Sequence, residues 1–355
     1  MNKRDNLISL YRRQGYSDVP VEFNLCPSLY ETFKERTGRT DYAEYFGFSS
    51  RTVDDLRLPD VDTEKFRSYY DYELLPGTTF DVWGVAYEPG SEASKHMTRM
   101  RHPLANIDSL SRLEEYPFPD YSMASGEHQK KQVEDIHAMG LAAVGGMECT
   151  IWETSWYMRS MEELMMDMMM EDEKAEYLLD RVTEAACIRG TTAYARSGVD
   201  IIKLGDDIGM QKTIMMSKEM YRTWLKPRLK KVIDAIRKEK QDVIIIYHSC
   251  GYVKPFINDL IDAGIDVLNP VQPECMDFKE IHEEFGNRLS FNGTIGTQTI
   301  MPFGTPEEIR DTVYKNLEIA GDKGGLCCTP THMLEPEVPW ENILAYVDAC
   351  KSFRK

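Results

Sequence analysis

Five consecutive residues, Val243-Ile-Ile-Ile-Tyr247, are all β-branched or aromatic. A strand of this kind is apolar on both faces, and the arrangement that covers both is a parallel sheet wrapped in helices. Compact apolar runs recur at residues 140–146, 199–204, 265–268, 289–293 and 325–330, with stretches of helical period between most of them. Two weaker runs, 19–25 and 81–87, bring the strand count to eight. Strands alternating with helices in this number predict an α/β fold of the (β/α)₈ TIM-barrel type. No internal repeat or linker divides the 355 residues, so one domain over 1–355 is expected, with an elaborated N-terminal segment over about 1–78.

The helical stretches carry their own punctuation. Leu29 to Arg36 reads as a helix after the first strand, and 108–116 as a short acidic one. Residues 37–78 show no period apart from a turn at Phe46-Gly-Phe48 and read as a cover over one end of the barrel, while 90–100 reads as loop. Ser160 with Glu163, and Thr305 with Pro306 and Glu308, have the spacing of capping boxes. Met161, Leu164, Met165 and Met168 fall on one helix face, a stripe that suits core filling better than a cofactor groove. Ser217 to Lys238 is a long amphipathic helix that Pro227 should bend, and a last helix begins at Pro339.

Charge narrows the function classes. The formal net charge is −17, and no lysine- and arginine-rich run could track a phosphate backbone or an anionic membrane surface. Nowhere do 18 apolar residues run together, and Met1 to Gly15 lacks the apolar stretch of a secretory signal, so a cytoplasmic location is expected. The eight cysteines then read as reduced thiols.

In such barrels chemistry gathers at the carboxyl ends of the strands. Those ends here carry Glu148, Asp206 and Asp207, His248 and Cys250, Asn269 and Gln272, Asn292, and Cys327, Cys328 and His332. His248 and Cys250 leave a buried strand two residues apart, so an imidazole nitrogen and a thiolate share one side. Those are donors that zinc favours, and a further cysteine from the last strand, Cys327 or Cys328, would complete a three-ligand site with one position open. The competing reading is a packed histidine among buried thiols. Asp207 is open to two readings as well, helix capping or a role at the substrate.

Several segments together resemble the uroporphyrinogen decarboxylase superfamily: Val19-Pro-Val, Tyr157-Met158, Gly205-Asp-Asp, Leu225-Lys-Pro-Arg-Leu-Lys-Lys, His248-Ser-Cys-Gly, Asn269-Pro-Val-Gln-Pro273, Phe291-Asn-Gly, and Thr331-His-Met-Leu-Glu-Pro with Pro339-Trp-Glu-Asn. The resemblance implies the barrel and two possible chemistries. Decarboxylases of the family carry an arginine-rich segment after the first strand, where this chain has Asn24-Leu-Cys-Pro27. The other branch is similar to cobalamin-dependent methyltransferases, whose zinc motif of His-x-Cys and a distant Cys is matched by His248, Cys250 and Cys327, with Cys328 as the alternative.

That branch implies a zinc enzyme moving a methyl group between a small methyl ether or thiol and a corrinoid, with cobalamin carried by a separate partner protein. Asp207, Glu148 and Tyr157 would be catalytic, and Asn269, Gln272, Asn292 and His332 would bind substrate. The alternative is a metal-free decarboxylase of a porphyrinogen or other polycarboxylate, for which Arg99, Arg101 and His102 are the clustered basic candidates. A barrel that only binds a small molecule is the third reading.

Overall fold

The computed structural model describes residues 1–58, 62–90 and 98–354. Its centre is a seven-stranded parallel sheet in the order β1 (Ser50–Val53), β5 (Ala142–Glu148), β6 (Ile201–Gly205), β7 (Ile244–His248), β8 (Val267–Asn269), β9 (Ser290–Asn292) and β10 (Leu326–Cys327). Each strand pairs with the one before it in this order, and helices cover the outside, which is the barrel architecture expected. Six of the expected strands are present, each starting within two residues of its expected position.

The first two expectations are corrected. Residues 19–25 have Val19, Val21, Phe23 and Leu25 buried, but they form no strand of the sheet, only an isolated parallel bridge from Leu25 to Leu334, beyond β10. On their other side Ser50 Oγ donates to Glu22 Oε1 at 2.6 Å, so this segment spans the gap between β10 and β1. The strand beside β5 is instead β1, inside the stretch expected to be an elaboration. It escaped notice because only Val53 is buried; Ser50, Arg51 and Thr52 are polar and line a cavity.

Residues 81–85 form a turn around the Asp81 carboxylate, which accepts from Trp83 N and Val85 N. The strand that follows, β3 (Ala86–Pro89), belongs to a separate antiparallel sheet with β2 (Thr79–Phe80) and β4 (Thr98–Arg101). The loop expected over 90–100 lies partly outside the described residues, and its described end is β4.

Helix Lys3–Tyr11 closes the bottom of the barrel. Leu7, Leu10 and Tyr11 pack into one cluster with Ala142, Val144, Ile201, Ile244, Ile246, Val267 and Cys327, the inward side chains of the strands. Among the surface helices, Thr305 and Glu308 make the full capping box with Pro306 at the first position. Ser160 accepts from Glu163 N, but the Glu163 carboxylate turns to Arg159, so only half of that box forms. Leu164 and Met168 are core, and Met161 and Met165 pack against it. The helix over 217–239 is interrupted by a π-turn, Tyr221–Leu225, ahead of Pro227, which lacks an N–H for the regular ladder. All eight cysteines are free thiols. No described helix is long and apolar enough to cross a membrane.

Candidate metal centre

A cavity of about 500 Å³ opens at the carboxyl ends of the strands. Its walls include Glu148, Tyr157, Asp207, His248, Asn269, Asn292 and His332 from the residues expected to act, together with Glu22, Arg51, Cys149, Glu153 and Lys203, which were not.

The pairing of Gly205 with His248 in register sets the heart of the site. It brings the β6 end, with Asp206 and Asp207, alongside the β7 end, with His248 and Cys250. One donor atom each from Asp207, His248 and Cys250 lie within 4.8 Å of one another. Cys250 Sγ is 3.5 Å from His248 Nε2, and His248 Nε2 is 3.8 Å from Asp207 Oδ1. Zinc bond lengths of about 2.0–2.3 Å at tetrahedral angles require donor separations of roughly 3.3–3.6 Å. The Cys250–His248 separation already matches a tetrahedral ion and the His248–Asp207 one is slightly long, with all three donors within 4.8 Å.

The charges around them fit a cation as well. Burial, followed by the negative charges of Asp207 and Glu153, pushes the Cys250 thiol up to about 12. Burial and then Glu153 do the same for Cys149, also to about 12. Glu153 is raised in turn by burial and by Asp207. A nest of thiols and carboxyls that oppose one another's ionisation is what a divalent ion relieves.

The third ligand expected from the last strand does not come to this group. Cys327 points into the barrel interior, fully buried, with its thiol against the Tyr11 hydroxyl. Cys328 points the other way, toward Thr294 Oγ1 at 3.5 Å. Neighbours on a strand face opposite sides, and here neither side is the mouth. Of Cys327, Cys328 and His332, it is His332 that lines the cavity, with its ring centre 6.5 Å from that of His248.

The paired acids divide their tasks. Asp206 is buried and accepts from Ile151 N and Glu153 N, at the start of helix Trp152–Arg159. Asp207 faces the cavity, and its Oδ1 accepts from Cys250 N at 2.7 Å. Glu148 lines the cavity and is exposed. Gln272 is not part of the wall; it is buried and accepts from Gly251 N at 3.0 Å, holding the loop behind Cys250. Tyr157 donates to Glu153 Oε1 at 2.9 Å, while Glu153 Oε2 accepts from Asp207 N at 3.1 Å. Glu153 was legible after all: it lies in the first helical turn after a strand end, four residues before Tyr157 and so on the same helix face.

Arg99, Arg101 and His102 line a different cavity, of about 300 Å³, where Arg101 Nε is 2.7 Å from the buried Glu88 carboxylate. The basic side chains on the main cavity are Arg51 and Lys203.

A parallel barrel with one polar site at its strand ends defines the class of this molecule. The chain belongs to the uroporphyrinogen decarboxylase (URO-D) family, whose profile matches residues 85–353. Two curated relatives stand on different sides of the family's chemistry. A methylated-thiol–coenzyme M methyltransferase of Methanosarcina mazei is 26% identical over 186 residues, covering 51% of this chain and 45% of that protein. A uroporphyrinogen decarboxylase of Chloroherpeton thalassium is 25% identical over 139 residues, 38% of each chain. The match thus spans less than half the length of either relative. A solved methyltransferase from Methanosarcina mazei has the same fold, with a TM-score of 0.68 over 99% of this chain and 98% of that one at 20% identity.

Proposed function

We propose that this protein is a methyltransferase with a zinc ion at the barrel mouth, transferring a methyl group between a small thiol or methyl ether and a corrinoid carried by a separate protein. The observation that carries this reading is the convergence of Asp207, His248 and Cys250 within 4.8 Å, where Asp207 and His248 line the cavity. The stronger of the two curated matches, a methylated-thiol–coenzyme M methyltransferase, supports the reaction type.

His248, Cys250 and Asp207 would hold the ion, with Asp207 in the place expected for Cys327. Bound there, zinc lowers the pKa of a coordinated thiol or polarises an ether oxygen. The chain's own residues do the rest. Glu153 and Tyr157 form a hydrogen-bonded pair at the wall beside Asp207, placed to hold a proton that leaves the substrate. Arg51 and Lys203 give the cavity a cationic side, suited to an anionic group on the small substrate. Glu148 and His332 border the same space.

The presence of Arg51 and Lys203 also favours a second reading, decarboxylation of a polycarboxylate, and one experiment separates the two. Elemental analysis of protein purified without a histidine tag should find about one zinc per chain, lost in Cys250→Ala. Methyl transfer would then be assayed with corrinoid proteins and candidate thiols or methyl ethers. Protein that takes up no zinc after incubation with the metal, and that releases carbon dioxide from a porphyrinogen, would overturn the methyltransferase reading.

A further inference from the structure

His248 can offer a metal only a ring nitrogen that carries no proton. Free imidazole side chains favour the proton on Nε2, which is the atom that faces Cys250 and Asp207 here. A cascade of hydrogen bonds running into the barrel reverses that preference.

The cascade begins at a group with only one possible role. The backbone carbonyl of Asn292 can only accept, and it accepts from Asn269 Nδ2 at 3.0 Å. That contact orients the Asn269 amide, so its Oδ1 is the atom 2.6 Å from His248 Nδ1. An amide oxygen also only accepts, so the proton between them belongs to Nδ1. Nε2 is then left with its lone pair toward the Cys250 and Asp207 donors.

Asn292 is itself held. Its Oδ1 accepts from Asn269 Nδ2 at 2.6 Å and from Thr329 Oγ1 at 3.2 Å, and its Nδ2 donates to the Tyr11 hydroxyl at 2.6 Å. Turning the Asn292 amide over would set two NH₂ groups against each other. Asn292 and Tyr11 are buried, so no bulk water competes for these bonds.

We propose that Asn269 and Asn292 are positioning residues that keep His248 in its Nδ1–H tautomer, with Tyr11 and Thr329 holding Asn292 in turn. They act through His248, whereas their places at strand ends had pointed to substrate binding. The consequence for metal affinity rests on the zinc reading above; the tautomer does not.

The test is a two-bond ¹H–¹⁵N correlation spectrum of metal-free protein labelled with ¹⁵N-histidine, recorded at about pH 8 so that imidazole is neutral. His248→Gln assigns the resonance. The expected result is the Nδ1–H tautomer in the wild type, a shift toward Nε2–H in Asn269→Leu, and about a 10–100-fold loss of zinc affinity in that variant. An Nε2–H resonance in the wild type overturns the proposal, and this arm needs no variant to fold. An unchanged tautomer in a folded Asn269→Leu overturns it too. Wild-type protein in the Nδ1–H form that binds no zinc leaves the positioning role standing and removes the metal from the proposed function.

Discussion

Asp206 turns its carboxylate onto the N–H groups of Ile151 and Glu153, while Asp207 turns its own onto Cys250 N and the cavity. Exchanging either residue should therefore do different damage. Asp206→Ala strips the start of helix Trp152–Arg159 of a buried acceptor and should destabilise the fold by about 1–3 kcal/mol, read as a lower urea midpoint. Asp207→Asn keeps the Oδ1 that accepts from Cys250 N, so its midpoint should stay within about 0.5 kcal/mol of wild type while zinc affinity falls. Equal midpoints for wild type and Asp206→Ala would show that water replaces the cap. Cys250 illustrates why a thiol cannot be judged from spacing. Its ionisation is opposed by burial and by two acids that arrive from residues 207 and 153, far away in the chain.

At the scale of elements, β6 and β7 must close to backbone contact for Asp207, His248 and Cys250 to converge. A methyl group on Gly205 would sit 2.7 Å from both the Cβ and the carbonyl oxygen of His248. One on Gly209 would meet the Cys250 carbonyl oxygen at 2.7 Å. Both glycines are needed for closeness, since neither has the positive φ that otherwise calls for glycine. Gly205→Ala should push the two strand ends apart, costing about 1–3 kcal/mol in urea denaturation and weakening zinc binding along with it. A variant with wild-type midpoint and affinity would mean that the strands accommodate the methyl group without moving His248. The short β1 has the opposite character. Its residues are chosen for the cavity more than for the core, and it holds its place by parallel pairing with β5.

Across the whole molecule, Asp200 ties four separated segments together beneath the barrel. Its carboxylate receives Arg4 Nη2 at 2.7 Å, His137 Nε2 at 2.9 Å and Ala143 N at 3.0 Å, at the start of β6. Burial alone would raise this carboxyl, but Arg4, Ala143 N and His137 together hold it below the usual range. A depressed acid stabilises the fold above its unfolded value of about 3.9, and the contribution is lost as pH falls through the lower folded value. Asp200→Asn should thus cost about 2–3 kcal/mol at pH 7, less than a fully buried pair because the Arg4 side chain is 33% exposed. The gap between variant and wild type should start to close as the pH falls below about 4 and go on closing through the lower folded value. Urea midpoints at several pH values read this directly, and a gap that stays constant with pH would mean that ionisation of Asp200 is not its source. The same helix that carries Arg4 carries Tyr11, so the plug beneath the barrel reaches the hydrogen bonds behind His248.

The alternation of apolar runs and helices determined the barrel, because strands apolar on both faces have few other ways to be buried. It also determined that His248 and Cys250 share a side and that Asp207 lies at a strand end, since both follow from local geometry. Tertiary structure decided the rest. Which segment stands beside β5 depended on backbone pairing, which leaves no mark in a sequence as polar as Ser50-Arg-Thr. Whether Cys327 or Asp207 joins the histidine depended on where each strand ends relative to its neighbours. A displacement of one residue turns a side chain from mouth to core, and that displacement is set by packing between strands far apart in the chain.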